Sequence, residues 1–179
     1  MVFEFTELEI KGTFIVRPKI FGDERGYFTE TYKKSEFYSH GVKGEFRQDN
    51  QSYSKKGVLR GLHFQREPYA QGKLVRVVRG KIFDVGVDLR EGSPTHGKYV
   101  SAILSAENME MLWIPEGFAH GFLAMEDSIV LYKATGEYNK ESEGGVIWND
   151  PDIAVKWPEM PSEISRKDKE WPSLRKLKQ

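Results

Sequence analysis

A histidine in an extended run is where chemistry can begin in this chain. Leu59-Arg60-Gly61-Leu62-His63-Phe64-Gln65 reads as a β-strand that carries an imidazole close to a guanidinium. Imidazole is neutral and basic near pH 7, so His63 suits proton transfer. Gln65 stands where a second histidine would complete a metal-binding pair. Another histidine, His120, ends Pro115-Glu116-Gly117-Phe118-Ala119-His120. Two imidazoles alone are too few for a divalent metal, which usually takes about three or four protein ligands. The residues therefore favour acid–base work and disfavour a metal. In a regular strand Arg60 and His63 have opposite parity. Both can reach one ligand only if Gly61 marks a bulge or bend.

The rest of the composition narrows the setting. The chain has 179 residues, 39% hydrophobic and 13% aromatic, which suits one domain spanning 1–179 with a single core. Lys plus Arg and Asp plus Glu are both 27, so no global field draws in nucleic acid or membrane. Any anionic ligand must be held by a local cluster. There are no cysteines, which excludes disulfides, a thiol nucleophile and a Cys-ligated zinc. The first residues carry acids and no apolar core of signal-peptide length, and no segment has the ~20 apolar residues of a membrane span. A cytoplasmic protein is the expectation.

The elements that must position His63 are strands. Segment 73–78 alternates and is rich in β-branched residues, and Arg79-Gly80-Lys81 turns it back into 82–89. Further strands are expected at 98–104, 109–113, 117–124 and 128–135, with turn residues between them. Short strands at regular spacing argue for an all-β antiparallel sandwich or jelly roll. A short helix over 35–40 ends at Gly41, and the tail from Ser165 is a second candidate.

Two phrases resemble the motifs of cupin jelly-roll barrels. Pro115 to His120 is similar to the second motif, and Gly57 to His63 to the start of the first. Metal-binding cupins continue the first motif with a histidine and a carboxylate where this chain has Gln65, Tyr69 and Ala70. Longer phrases are more specific. Phe21-Gly22-Asp23-Glu24-Arg25-Gly26-Tyr27-Phe28-Thr29-Glu30, Gln48-Asp49-Asn50-Gln51-Ser52, Arg60 to Gln65, Asp84-Val85-Gly86-Val87-Asp88-Leu89-Arg90 and Trp148-Asn149-Asp150-Pro151 occur in this order. Together, over about 21–174, they resemble the dTDP-4-dehydrorhamnose 3,5-epimerase family. The resemblance implies a homodimer without cofactor or metal that acts on a nucleotide sugar, dTDP-4-dehydro-6-deoxy-glucose, on the way to dTDP-L-rhamnose.

What the resemblance implies can be set against the chemistry. A ketone at C4 makes the hydrogens on C3 and C5 acidic. Inverting each carbon needs a base on one face, an acid on the other and a donor or cation for the enolate. By resemblance His63 is the base, Asp168 its orienting carboxylate, Tyr132 the opposite proton donor and Lys73 the cation near the enolate oxygen. Arg25, Glu30, Gln48, Asn50, Arg60, His120, Glu143 and Lys167 fall on positions that the family uses to hold the nucleotide sugar. In the family the segment with Arg25 and Glu30 reaches into the partner's site, and Tyr138 is a candidate to stack on thymine.

Plainer readings stand beside these. His63 could be a core histidine bonded to backbone, and Tyr132 a core tyrosine with a satisfied hydroxyl. Ser165-x-x-Asp168 has the spacing of a capping box, and Asp84 is the alternative carboxylate beside His63 or His120. A C3-only or C5-only epimerase, a metal-dependent cupin and a non-catalytic sugar-nucleotide binder are the other functional readings.

Overall fold

Extended segments rich in β-branched and aromatic residues build this molecule by pairing into sheets. The structure, a computed structural model, describes residues 2–177. In chain order the strands are β1 Phe3–Glu7, β2 Phe14–Pro18, β3 Ile20–Asp23, β4 Gly26–Thr29, β5 Gln48–Ser54, β6 Val58–Gln65 and β7 Lys73–Arg79. They continue with β8 Lys81–Asp88, β9 Tyr99–Ser105, β10 Met111–Ile114, β11 Phe118–Ala124, β12 Ser128–Ala134, β13 Glu143–Gly145 and β14 Glu163–Ile164. Helices α1 Lys34–Ser39 and α2 Arg166–Lys169 are short, and a 3-10 turn spans Leu174–Lys176.

Two sheets face each other in a cupin-like jelly roll. One runs β1-β2-β10-β7-β12-β5 and the other β13-β6-β11-β8-β9, with β14 pairing β6. All ladders are antiparallel except the short β14–β6 pair. The space between the sheets is apolar at one end, where Val75, Val77, Ile82, Leu112, Ile114 and Val130 pack together. At the other end the same inward positions turn polar. The outer face of the first sheet is covered by Phe37 of α1 and by Val42 just beyond it, against Phe3, Leu74 and Trp113. The outer face of the second is covered by the C-terminal segment, where Val155, Trp157, Leu174 and Leu177 lie on Val85, Val87 and Leu62.

Most expected elements stand within a residue or two of their sequence positions. The largest shift is at 109–113, which begins as a strand only at Met111. Asn108 Oδ1 accepts from the Ser105 and Glu110 amides and Met109 has φ +52, so the turn claims two more residues. Helix α1 ends before Gly41, which takes φ +94 as a left-handed cap.

The parity conflict on β6 is resolved at Gly61. His63 pairs with His120 and Arg60 with Phe122, so three steps on β6 match two on β11. That extra residue is a bulge. Gly61 takes φ +131, and a Cβ there would lie 2.5 Å from Gly121 Cα and 3.0 Å from the His120 carbonyl. Only glycine fits both demands. We expect Gly61→Ala to lower stability by about 3 kcal/mol, read as a lower thermal midpoint. An unchanged midpoint would mean that the bulge is not held at this residue.

Candidate active site

The polar end of the barrel is a cavity of about 620 Å³ walled by both sheets. Arg60 and His63 reach it from β6, His120 and Phe122 from β11, Lys73 from β7 and Tyr132 from β12. Glu143 on β13 and Ser165, Lys167 and Asp168 around α2 close the side. An adjoining recess of about 320 Å³ shares His63, Lys73, Tyr132 and Glu143, and adds Gln48, Asn50, Gln65 and Tyr138. Strand β6 lies in one sheet and β12 in the other, so His63 and Tyr132 stand on opposite walls. Tyr132 pairs with Val75 and Ala134 with Lys73, which puts Tyr132 and Lys73 side by side on the same wall.

His63 is held by a carboxylate from the far end of the chain. Its Nε2 lies 2.6 Å from Asp168 Oδ1. With Nε2–H donating to that oxygen, Nδ1 is left as the basic atom. Asp168 is buried at 4% exposure and accepts also from Trp171 Nε1 at 3.3 Å and from the Gly61 amide at 3.4 Å. Burial acts to raise its carboxyl, but the hydrogen bond and charge of His63, with the Gly61 and Ser165 contacts, hold it below the ordinary carboxylate value. The capping alternative is also realised in part: Ser165 Oγ accepts from the Asp168 amide at 3.1 Å. One residue therefore starts α2 with its backbone and serves His63 with its side chain.

His120 has its own carboxylate. Its Nε2 lies 2.7 Å from Oδ1 of Asp84, which is fully buried. The two aspartates are thus divided between the two histidines. Lys73 is half-buried at the start of β7, and burial pushes its ammonium down to about 8, against the charges of Asp84 and Glu143. Burial likewise raises the phenol of Tyr132, with Arg60 opposing. Glu143 accepts from Tyr138 Oη at 2.9 Å and pairs with Lys167. Burial acts to raise Glu143, yet these two partners keep it below its usual value. Arg60 is steadied by donating from Nε to Ser54 Oγ at 2.9 Å.

Gln65, where a metal cupin has its second histidine, is a strut. Its amide nitrogen donates to the carbonyls of Tyr69 at 2.7 Å and Glu137 at 3.0 Å, and its oxygen accepts from the Asn139 amide at 2.7 Å. Among the described residues no group of three or more His, Asp or Glu is placed to hold a metal ion.

Of the expected residues, His63, Lys73, Tyr132, Asp168, Arg60, His120, Glu143 and Lys167 share the main cavity, and Gln48 and Asn50 line the recess beside it. Arg25 and Glu30 border neither. Arg25 sits at the tip of the β3–β4 hairpin, paired with Asp23 and 85% exposed along its side chain. The hairpin also exposes Ile20, Phe21, Tyr27 and Phe28. Sequence reading missed Trp171. Its signal was nearness in sequence: it lies three residues after Asp168, just past the end of α2, with its ring edge-to-face to His63.

Comparison with known proteins identifies relatives over nearly the whole chain. The family model described as dTDP-4-dehydrorhamnose 3,5-epimerase matches residues 7–176. The dTDP-4-dehydrorhamnose 3,5-epimerase of Methanothermobacter thermautotrophicus is 52% identical over 177 residues, covering 97% of this chain and 95% of that protein. The one from Salmonella typhimurium is 53% identical over 169 residues, covering 92% of each. The crystal structure of the dTDP-6-deoxy-D-glucose-3,5-epimerase from Legionella pneumophila, in complex with dTDP-4-keto-L-rhamnose, superposes with a TM-score of 0.94. It is 43% identical, covering 98% of this chain and 95% of that one.

The depressed carboxyl of Asp168 carries a pH dependence. Its stabilising effect is present above the ordinary carboxylate pKa of about 4 and is lost as pH falls through the lower folded value. The stability gap between the wild type and Asp168→Asn should therefore narrow as pH falls from about 5 towards 2, in denaturant titrations at each pH. A gap independent of pH would show that the carboxylate is not what stabilises this contact.

Proposed function

The chain belongs to the dTDP-4-dehydrorhamnose 3,5-epimerase family, and we propose that its cavity inverts C3 and C5 of dTDP-4-dehydro-6-deoxy-D-glucose, giving dTDP-4-dehydro-L-rhamnose. The observation that carries this reading is a His–Asp pair on one wall facing a tyrosine and a half-buried lysine on the other. His63 Nδ1 takes the proton from a carbon next to the C4 ketone. The electron pair left on carbon delocalises onto the C4 oxygen as an enolate. Lys73, still largely ammonium at pH 7, stabilises that oxygen. Tyr132 then gives its phenolic proton to the opposite face of the same carbon and is reprotonated from solvent, while the His63 imidazolium releases its proton to solvent. The same groups act at the second carbon. Asp168 fixes the His63 tautomer and balances the imidazolium that forms.

Binding follows the charges. Arg60 suits the diphosphate, since guanidinium makes paired charge-assisted bonds to it. His120, Gln48, Asn50, Glu143 and Lys167 surround the remaining space for sugar and nucleoside. Tyr138, 55% exposed and steadied by Glu143, offers a ring for thymine.

The functional unit in this reading is a homodimer. Arg25 and Glu30 are binding residues, yet they lie on or beside a hairpin with four exposed large hydrophobics and away from the cavity of their own chain. A second copy receiving that hairpin would bury the rings and bring Arg25 to the diphosphate.

Two experiments test these assignments. In D2O, His63→Ala should slow exchange of the C3 and C5 hydrogens on the order of 10³-fold. Tyr132→Phe should keep proton removal while losing net inversion, and equal loss of both in Tyr132→Phe would remove it as the opposite acid. For the dimer, co-refolding inactive Arg25→Ala with inactive His63→Ala should restore about a quarter of wild-type activity, since half the dimers hold one intact site. No recovery would place Arg25 outside the partner's site.

A further inference from the structure

Behind His120, which lines the cavity, lies a buried carboxylate that the roles above leave unused. Asp84, on β8, is fully buried with its Oδ1 on His120. Its neighbour on the same inward face, Ile82, belongs to the apolar core, so an aliphatic side chain would suit this row. Holding the His120 ring needs one acceptor, which a neutral amide supplies as well. The second oxygen, Oδ2, is buried with no hydrogen-bond partner among the described residues. A buried carboxylate oxygen with nothing bonded to it is expensive unless a nearby cation balances the charge. Lys73 shares the cavity with His120, the ring that Asp84 holds, and among the charges acting on its ammonium that of Asp84 comes first and that of Glu143 second.

We propose that Asp84 is a positioning residue, fixing His120 with one oxygen and keeping the Lys73 ammonium charged through the field of its carboxylate. Its place in the epimerisation rests on the reading given above, whereas its effect on Lys73 does not. The other charged groups around the same cavity are fixed by partners of their own. Arg60 is bonded to Ser54, Lys167 to Glu143, and Asp168 to His63. Tyr132, beside Lys73, is held neutral by burial. Glu143 is shared with Lys167 and Tyr138, so Asp84 is the carboxylate left to serve Lys73.

The test reads Lys73 without any substrate. Acylation by acetic anhydride consumes only the neutral amine, and its rate at Lys73 is followed by peptide mass spectrometry across pH. In the wild type, half-maximal reactivity should fall near pH 8. In Asp84→Asn, which keeps an acceptor for His120 and removes the charge, it should move at least about one unit lower, a roughly tenfold faster reaction at pH 7. The alkaline limb of kcat should shift to lower pH with it. An unmoved Lys73 profile, or a loss of kcat uniform across pH, would overturn the proposal. Should Asp84→Asn not fold, His120→Gln decides. It leaves the carboxylate in place, so a Lys73 profile like the wild type's supports a direct effect, and a shifted one overturns it. A Lys73 shift in a protein that does not turn over the dTDP-sugar would count against the epimerase reading and in favour of the Asp84–Lys73 coupling.

Discussion

The backbones of β6 and β11 meet at Gly61 and Gly121, and the active cavity depends on that approach. A Cβ on Gly121 would stand 2.7 Å from the Arg60 carbonyl and 2.9 Å from Gly61 Cα, so neither strand tolerates a side chain there. With both removed, β6 bulges by one residue. The bulge puts a guanidinium and an imidazole on one face of a strand that would otherwise send them to opposite faces. It also aims the Gly61 amide at Asp168. Strand geometry, base placement and the orienting carboxylate thus share one local constraint.

Around that constraint the chain solves an electrostatic problem locally. The net charge is zero, so nothing global attracts an anionic ligand. The cavity instead gathers Arg60, Lys73 and Lys167 with the carboxylates of Asp168 and Glu143, bonded to His63 and Lys167, while Asp84 stands behind it on His120. Removing these groups from water strengthens each contact, and the same removal drives Lys73 towards neutrality. A lysine that must stay charged in a half-buried wall therefore needs negative neighbours.

How much of this the sequence disclosed depends on the range of the interaction. The β7–β8 hairpin was legible because alternation and Arg79-Gly80-Lys81 are local signals, and α1 because Gly41 closes it. Strand β5 was not. Its inward residues, Gln48, Asn50, Ser52 and Ser54, face the cavity, so the polar–apolar alternation that marks a strand is absent. The His63–Asp168 contact spans 105 residues, and spacing along the chain carries no trace of it. Only family resemblance favoured Asp168 over Asp84, and the structure uses both, one for each histidine. Gln65 was read as the absence of a ligand. Its actual work, tying down Tyr69, Glu137 and Asn139, is tertiary and left no sequence pattern.

The central claim is that one base and one opposed acid act at two carbons of the same sugar. The most direct measurement is proton NMR of wild-type protein with dTDP-4-dehydro-6-deoxy-glucose in D2O, with no nucleotide cofactor or metal added. Solvent deuterium should appear at both C3 and C5, with formation of the L-rhamno product. Deuterium at one carbon alone, or at neither, would contradict it.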